Sequence, residues 1–375
     1  MLLCIFTRIL RFTAKQVRHC VYVSPLAGFK GTMIIGVMRR IIRYGGIALL
    51  GIVLALMMIW SIMAIYYSNI ASEPVKVILC AAFGLAAIAA FIFLPRRGLT
   101  TVGFVLVFLG IVAWWLSIPP SNDRIWQREV AVLPYAVITG DVVTLHNIRN
   151  FAYRTETDFD ARYYDKRFDL KKLSSVDLIA VYWMGDAIAH VMLSFGFEGK
   201  DYVAFSIETR KEKGEDYSTI KGFFKQYELI YIAGDERDLI RVRTDYRRPE
   251  EFVYLYRLNP RPENLRRLFV EYVLQINSMR EEPEWYNTLT TNCTTNIVRH
   301  VRALGSRARY NWKILLSGYA PQYAYEMGGL YSGVSFKELK ELSFINRKAH
   351  VIGNDPEFSR KIREGLPVPE RKTKD

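Results

Sequence analysis

Hydrophobic positions are distributed very unevenly along this chain. Between residues 45 and 118 they form three long runs with almost no charge, whereas the remainder mixes charged, aromatic and aliphatic residues. The three runs are Gly45 to Tyr67, Val75 to Leu94 and Val102 to Ile118. A membrane-spanning helix needs about 20 apolar residues, and about 17 is the short limit. The pattern therefore predicts three transmembrane helices, over residues 45–67, 75–94 and 102–118.

The polar flanks of these runs predict the orientation of the helices. Residues 1–44 are basic, residues 68–74 contain no lysine or arginine, and the second loop contains Arg96 and Arg97. Cytoplasmic flanks of membrane helices carry the excess of lysine and arginine. The N-terminus is therefore expected inside and everything after Ile118 outside. This describes a multi-pass protein of the cell inner (cytoplasmic) membrane whose C-terminal domain lies in the periplasm.

The same pattern divides the chain into four parts. No small-residue cleavage site follows an apolar run at the N-terminus, so we expect no signal peptide there. The sequence leaves open whether Met1, Met33 or Met38 is the true start. The predicted parts are a basic cytoplasmic segment (1–44), a transmembrane region (45–118), a globular extracytoplasmic domain (119–360) and a disordered polar tail (361–375).

The globular domain shows the periods of both strands and helices. Two β-rich runs, AHVMLSFGF and YVAFSIETR, flank a glycine-containing turn at residues 198–201 and predict a β-hairpin. Helical spacing of apolar residues appears over Pro262 to Ser278, and a second helix is predicted from about Cys293. These elements predict an α+β domain, an antiparallel sheet with helices packed on it. Further strands are predicted at Val130 to Val137, Asp141 to Asn147, Lys172 to Trp183, Tyr227 to Ile232, Leu239 to Arg243 and Val253 to Leu258.

The net charge of +14 changes this picture little, because part of the excess lies next to the first membrane helix. Such a basic run sets topology and contacts anionic headgroups. No zinc-ligand spacing, RNA-binding aromatic motif or helix-turn-helix pattern accompanies it, so nucleic acid is not an expected partner. Neither a metal nor a cofactor is predicted. A second basic cluster either contacts anionic phospholipid headgroups or forms a solvated strand edge: Arg237, Arg241, Arg243, Arg247 and Arg248.

Candidate chemistry begins with the cysteines, of which only Cys293 lies in the globular domain. A single cysteine excludes an internal disulfide framework. Thr291 and Asn292 are good N-cap residues and Gly305 is a good helix stop, which places the thiol in the first turn of a helix. The N–H groups of that turn favour a thiolate and can hold an oxyanion. The alternative is that Cys293 is a small buried hydrophobe.

A thiol nucleophile needs a general base, usually a histidine. His146 and His350 lie in turn-like surroundings, and His300 is two helical turns away from Cys293 along the same helix. His190 opens a hairpin strand, which is a rigid platform. Hairpin pairing brings Glu208 opposite His190 to within one position, where a carboxylate would orient the imidazole. The alternative is that His190 is a satisfied, partly buried histidine.

Several motifs recur here in one order: WMGDAIAHVMLSF, VAFSIETR, YELIYIAGDERDLIRVR and YNTLTTNCTT. Together they resemble the extracytoplasmic domain named after the Lnb-type lipoprotein intramolecular acyltransferases, over roughly Asp123 to Gly329. That family is similar to circularly permuted papain-like enzymes. The resemblance implies Cys293 as nucleophile and His190 as base. Glu208 is our candidate for the third catalytic residue, and the binding candidates around the dyad are Ser206, Arg210 and Asn292.

Three functions remain open from the sequence. The first is thiol-dependent acyl transfer or ester hydrolysis on a membrane lipid or lipoprotein, at the outer face of the membrane. The second is a papain-like peptidase or amidase acting on cell-wall peptides, which needs the same dyad but a polar groove. The third is a non-catalytic binding module of the envelope. Long apolar side chains beside Cys293 would favour acyl chains over peptides.

Overall fold

The computed structural model describes the backbone of residues 28–370 and the side chains of residues 37–370. The chain forms two compact units, one containing residues through Ile65 together with Pro74–Val112, the other containing Tyr66–Glu73 and everything from Ala113. Cys4, Cys20 and much of the basic segment 1–44 lie outside the described residues, as do residues 371–375 of the predicted tail.

The first unit is made of three long helices: α1 (Gly28–Tyr66), α2 (Glu73–Phe93) and α3 (Arg97–Ser117). All three are long and apolar enough to cross a membrane. Their outward side chains are aliphatic, and Leu85 and Leu106 are 69% and 64% exposed, which suits lipid rather than water. The three predicted helices are confirmed. Helix α1 begins before Gly45 because the sequence contains no proline between Pro25 and that position.

The second unit is built on a mostly antiparallel eight-stranded sheet. Its central order is β1-β2-β9-β8-β7-β6-β10, β5 pairs with β2, and β2 meets β9 in parallel. A separate two-stranded pair is formed by β3 and β4. The bounds are β1 (Tyr135–Thr139), β2 (Val142–Arg149), β3 (Ala152–Tyr153), β4 (Phe159–Asp160), β5 (Tyr163–Asp169), β6 (Leu173–Tyr182), β7 (Ala189–Phe197), β8 (Asp201–Arg210), β9 (Glu228–Gly234) and β10 (Phe252–Arg257).

Helices cover both faces of this sheet, which confirms the α+β class. The two longest helices of this unit, α5 and α6, pack on the face that carries Val191, Leu193 and Phe195. The opposite face, which carries Met192, is covered by the segment after β9 and by the C-terminal helices through Phe358. The bounds are α4 (Glu236–Leu239), α5 (Pro262–Glu281), α6 (Cys293–Ala303), α7 (Trp312–Leu315), α8 (Ala320–Glu326), α9 (Phe336–Leu342), α10 (Asn346–Ile352) and α11 (Phe358–Lys361).

Strands β7 and β8 form the predicted hairpin. Their register runs from Phe197 opposite Asp201 to Met192 opposite Ser206. Gly199, in the connecting turn, has φ +68°, a conformation that glycine adopts without steric cost. Continuing the same register beyond the last pair places His190 opposite Glu208. The two runs that carry the candidate residues are therefore adjacent antiparallel strands, as predicted.

Two strand predictions fail where local hydrogen bonding competes with the sheet. The segment Leu239 to Arg243 is helical, not a strand: α4 leads into a π-helical turn at Val242–Tyr246. The Asp235 carboxylate starts this segment by accepting from the Arg237 N–H, as an N-cap does. The first strand begins at Tyr135 rather than Val130, because Arg128–Val130 forms a 3-10 turn and Pro134 then interrupts.

Strand β5 was missed in the sequence because it does not look apolar. It reads YYDKRFD, and its alternate positions carry charge. It pairs antiparallel with β2 through Val142 opposite Asp169 and on to Arg149 opposite Tyr163. Only Phe168 of this strand is fully buried. A strand with one anchoring residue gives a weak period-two signal.

The predicted disordered tail from residue 361 is wrong as far as Leu366. Ile362 is fully buried in the second core cluster, together with Phe358. Arg363 forms ion pairs with Asp177 of β6 and with Glu236 of α4. The sequence did not predict these contacts, because isolated Ile and Arg residues in a polar stretch show no hydrophobic periodicity.

Candidate functional site

A cleft of about 460 Å³ opens at the end of the sheet where β7 begins. Four of the predicted site residues line it: His190, Glu208, Asn292 and Cys293. The lining comes from both faces of the sheet, because the cleft crosses the end of β7. Residues that the sequence analysis did not single out also contribute, among them Trp183, Met184, Tyr286, Leu315 and Ser317.

Cys293 is the first residue of α6, as the N-cap pattern predicts. Asn292 is the cap: its side-chain oxygen accepts from the Thr295 N–H at 2.9 Å, and the Thr295 hydroxyl accepts from the Asn292 N–H at 2.9 Å. This reciprocal pair is a capping box, which fixes where the helix begins. Asn292 also donates to the Thr288 carbonyl at 2.7 Å. Its hydrogen bonds therefore position the cysteine at the start of the helix.

The sulfur lies where the pairing of β7 with β8 stops. The last pair is Met192 with Ser206, so the Val191 N–H is free of that ladder. This N–H and those of Cys293 and Thr294 interact with Cys293 Sγ and lower its pKa, but burial has the larger effect and raises the pKa of the thiol overall. Desolvation therefore outweighs the helix N-terminus and favours the thiol form of Cys293, whose side chain is partly buried.

His190 lies on the other face of β7, the face of Met192. Its Nε2 is 2.6 Å from Ser206 Oγ and 3.7 Å from Glu208 Oε1. Burial, aided by the charge of Arg243, lowers the pKa of His190 to about 3, although Glu208 acts in the opposite direction. The imidazole is thus neutral at physiological pH. Within the described residues no hydrogen bond joins it to Cys293 Sγ, so the predicted dyad stays a prediction.

The hydrogen bonds of Ser206 fix the tautomer of that neutral ring. Ser206 donates to Glu208 Oε1 at 2.5 Å. An ionised carboxylate only accepts, so the serine proton is committed to Glu208. Ser206 Oγ must then accept from His190, which places the ring proton on Nε2. The lone pair of the imidazole is left on Nδ1, and that nitrogen is the one available to take a proton from a thiol.

Glu208 is held ionised by a buried guanidinium. Burial by itself would raise the pKa of Glu208, but the charges of Arg243, His190 and Arg149 outweigh it and hold the pKa well below its usual range. Arg243 Nη2 donates to Glu208 Oε1 at 3.1 Å, and the arginine is 2% exposed. A chain of polar groups therefore runs from Arg243 through Glu208 and Ser206 to His190. Ser206 makes the hydrogen bond to the imidazole that the sequence analysis expected from the Glu208 carboxylate.

Of the predicted binding residues, Asn292 lines the cleft, whereas Arg210 and Ser206 do not. The Arg210 guanidinium donates to the carbonyls of Val130 and Ala131 at 3.0 and 2.9 Å and to Asn122 Oδ1 at 2.8 Å. It also stacks over the Trp126 ring at 4.2 Å. All these partners belong to the segment before β1, so Arg210 fastens that segment to the end of β8.

The remaining histidines of the domain are engaged elsewhere. His300 is buried and bonded through Nε2 to the Tyr231 hydroxyl at 2.9 Å, and burial lowers its pKa to about 4. His146 is paired with Asp165 at 2.7 Å. His350 is largely exposed, 3.7 Å from Asp245. Among the residues with described side chains, no cluster of three or more His, Cys, Asp or Glu is arranged to hold a metal ion.

Four of the five arginines of the second basic cluster form ion pairs within the domain, and contact of the cluster with headgroups stays a prediction. Arg243 faces Glu208 inside the domain, and its neighbours form ion pairs of 2.9–3.0 Å with nearby carboxylates: Arg237 with Asp235, Arg241 with Asp245 and Arg247 with Glu251. These guanidiniums are therefore committed to structural pairs. The sequence contained the residues, but a tertiary structure was needed to show that Arg243 supports Glu208.

Comparison with known proteins identifies the family of this domain. Residues 159–318 match the family model of the Lnb N-terminal periplasmic domain, a stretch that contains His190, Ser206, Glu208 and Cys293. No curated protein and no solved structure matches the chain. The match confirms the resemblance found in the motifs, and three candidate membrane spans precede the matched region. The chain is therefore a membrane protein whose C-terminal part is a periplasmic domain of the Lnb N-terminal domain family.

Proposed function

We propose that this protein is a thiol acyltransferase or ester hydrolase that acts on a membrane lipid or lipoprotein at the outer face of the cytoplasmic membrane. The observation that carries the proposal is the shared cleft, which is lined both by the thiol at the first position of a helix and by a neutral, oriented imidazole. The family match supports a membrane-linked periplasmic role and is coarser than this reaction. The permuted papain-like arrangement belongs to the same proposal.

The protonation states favour general-base catalysis over a preformed ion pair. Burial disfavours charge on both groups, since it raises the pKa of the Cys293 thiol and lowers that of His190. His190 Nδ1 takes the thiol proton as Sγ attacks the ester carbonyl, so a C–S bond forms while the imidazolium is stabilised through Ser206 and Glu208. The N–H groups around the sulfur are placed to hold the oxyanion.

Collapse of the tetrahedral intermediate breaks the ester C–O bond, and His190 returns its proton to the departing alcohol. The products of this half-reaction are an alcohol and a thioester on Cys293. An amine or a water molecule then attacks the thioester, His190 again takes the proton, and breakage of the C–S bond restores the thiol. An amine acceptor gives transfer and water gives hydrolysis.

Part of the cleft lining favours an acyl chain over a peptide. Trp183, Met184 and Leu315 lie at the mouth of the cleft. Met184 is 67% exposed, and Trp183 and Leu315 are each 41% exposed. Aliphatic and aromatic side chains of this kind bind hydrocarbon by removing it from water. The part of the lining near Arg149 and Glu156 is polar and suits the head of an ester substrate.

Intact-protein mass spectrometry tests the proposal. The full chain in lipid nanodiscs is incubated with p-nitrophenyl octanoate and, in a second arm, with bacterial phospholipid, and the acyl adduct is then mapped. We expect an octanoyl adduct on Cys293 that is lost in Cys293→Ala and strongly reduced in His190→Ala. The matched control is Cys80→Ala, which removes the thiol of helix α2 and should leave the adduct intact.

Three outcomes contradict the proposal. An adduct on another residue would remove Cys293 from the reaction. A Cys293 thiol that iodoacetamide alkylates normally, yet that neither ester acylates, would favour a non-catalytic binding module. Cleavage of cell-wall peptides without ester acylation would favour the peptidase function.

A further inference from the structure

The segment that follows α6 carries an unusual combination of side chains. Residues 299–316 contain five arginines or lysines and no aspartate or glutamate. Exposed apolar and aromatic residues are interleaved with them, and Trp312 is 57% and Tyr310 50% exposed. In this part of the described chain, Arg302, Arg307 and Arg309 are exposed and form none of the observed ion pairs.

This segment is fastened to the turn between β6 and β7. The Gly318 N–H donates to the Ala187 carbonyl at 3.0 Å, and Ser317 Oγ accepts from the Ala189 N–H at 3.0 Å. A side chain at Gly318 would collide with the Asp186 carbonyl, so the approach requires glycine. The tie joins the two segments, and Trp183, Met184 and Leu315 from both of them line one cleft. We treat the exposed apolar side chains of the two segments as one surface. We name it the apolar rim: Trp183, Met184, Tyr310, Trp312, Leu315 and Leu316.

The chain enters this unit at the same end of the sheet. The Ile118 carbonyl accepts from the Trp285 indole at 3.1 Å, and the Ser121 N–H donates to Glu228 Oε1 at 3.1 Å. Glu228 begins β9 opposite Arg210 at the end of β8, and the β7–β8 register places His190 near that end too. Helix α3 ends at Ser117, so only a short stretch separates the span from this edge.

We infer that the apolar rim and its three unpaired arginines are a docking surface for an anionic lipid bilayer. Tryptophan and tyrosine belong at the membrane interface, because their rings are amphipathic. Exposed arginines add electrostatic attraction to anionic headgroups, which falls with salt. Clustered exposed apolar side chains mark an interaction site, whereas singly scattered ones are ordinary. The positive charge of these arginines favours an anionic bilayer over a neutral apolar partner.

Docking would bring the mouth of the cleft to the lipid surface, since Trp183, Met184 and Leu315 belong both to the rim and to the lining. The role of this surface in bringing substrate to the cleft rests on the proposed function, whereas the docking of the surface on a bilayer does not. An acyl chain would then pass from the bilayer to Cys293 without crossing water. The inference therefore makes the membrane the partner of the site that contains Cys293.

Site-directed spin labelling tests the inference on the full chain. The four native cysteines are replaced, Cys293 by serine, and a nitroxide is attached at Leu316→Cys in the rim or at Lys200→Cys in the β7–β8 turn. The protein is reconstituted in vesicles of phosphatidylethanolamine and phosphatidylglycerol. We expect the label at 316 to collide more with oxygen than with a nickel chelate, which reports burial in lipid, and the label at 200 to show the reverse.

A pair of charge-reversal variants tests whether the exposed arginines contribute to docking on the bilayer. Arg307→Glu/Arg309→Glu should abolish the oxygen-dominated profile at 316, whereas Lys171→Glu/Lys200→Glu makes the same change in net charge near the opposite end of the sheet and should leave it. A water-like profile at both labelled positions would overturn the inference. So would dipolar broadening between labels at 316 without oxygen exposure, because that result assigns the rim to a second copy. The background lacks the thiol nucleophile, so either result is independent of catalysis.

Discussion

At the scale of single residues, Ser206 and Glu208 have different roles in the polar chain that ends at His190. Ser206 is fully buried and connects the imidazole to Glu208 through bonds of 2.6 and 2.5 Å. The carboxylate is 3.7 Å from the ring, too far for a direct hydrogen bond. Ser206 is therefore the positioning residue, and Glu208 acts on His190 through it.

Ser206→Ala should lower the acylation rate without weakening substrate binding. The variant leaves His190 Nε2 without its acceptor when the imidazolium forms, and a hydrogen bond to a charged group contributes about 1.5–3 kcal/mol. The expected loss in kcat is roughly ten- to hundredfold, with KM unchanged. Stopped-flow measurement of nitrophenolate release from p-nitrophenyl octanoate separates the two constants.

Ser194→Ala is the matched control for that experiment. Ser194 is also fully buried, lies on the same face of β7 as His190 and donates to a buried carboxylate, Glu236, at 2.5 Å. Its loss should lower stability without changing kcat. Equal falls in kcat for the two variants would assign Ser206 a purely structural role.

At the scale of elements, the C-terminal helix α11 acts as a strap across the sheet. Arg363, just after α11, joins Asp177 of β6 at 2.8 Å and Glu236 of α4 at 2.6 Å, and its guanidinium stacks on the Tyr202 ring of β8 at 3.9 Å. Both carboxylates are almost completely buried. One side chain therefore connects the end of the chain to strands that carry the site.

Arg363→Met should destabilise the domain strongly. The variant leaves the Glu236 carboxylate buried without its partner, and breaking a buried pair costs about 3–5 kcal/mol. Thermal melting of the full chain in nanodiscs should show a large fall in the melting temperature. Arg360→Met, one turn earlier on the exposed side with Glu357 and Glu364 as partners, should melt almost as the wild type. Similar melting temperatures for the two variants would show that Arg363 does not hold the C-terminal helix on the sheet.

At the scale of the whole molecule, the distribution of positive charge around the apolar helices determines the topology. The loop between α1 and α2 lacks lysine and arginine up to Lys76, while Arg96 and Arg97 lie between α2 and α3. The positive-inside rule then sends the chain out of the cytoplasm after α3. The family match independently describes the following domain as periplasmic.

Alkaline phosphatase fusions in a bacterial host test this topology. The enzyme needs disulfides and is active only outside the cytoplasm. A fusion after Ser121 should be active, and a fusion after Arg97 should be inactive although it is expressed to the same level. Activity in the second and not in the first would reverse the topology, and with it the compartment in which Cys293 works.

Much of the local structure could be predicted from the sequence, because hydrophobic patterns, turn residues and cap residues indicated the same elements. Three uncharged runs, the hairpin around Gly199 and the cap at Asn292 each depend on neighbouring residues, and each was predicted. The helical turn after Asp235 was missed because an apolar run of a few residues reads equally as strand or helix. Strand β5 was missed because only one of its side chains is fully buried, and its pairing with β2 depends on backbone hydrogen bonds that side-chain patterns do not report.

The sequence by itself determined the membrane helices, the α+β class, the hairpin that carries His190 and the helix that begins at Cys293. Only the tertiary structure decided what surrounds those two residues. Ser206 lies between His190 and Glu208, Arg210 lies outside the cleft, Arg243 pairs with Glu208, and desolvation raises the pKa of the partly buried Cys293 thiol. The physical reason is that capping and turn formation depend on adjacent residues, whereas desolvation and buried ion pairing depend on residues far apart in the chain.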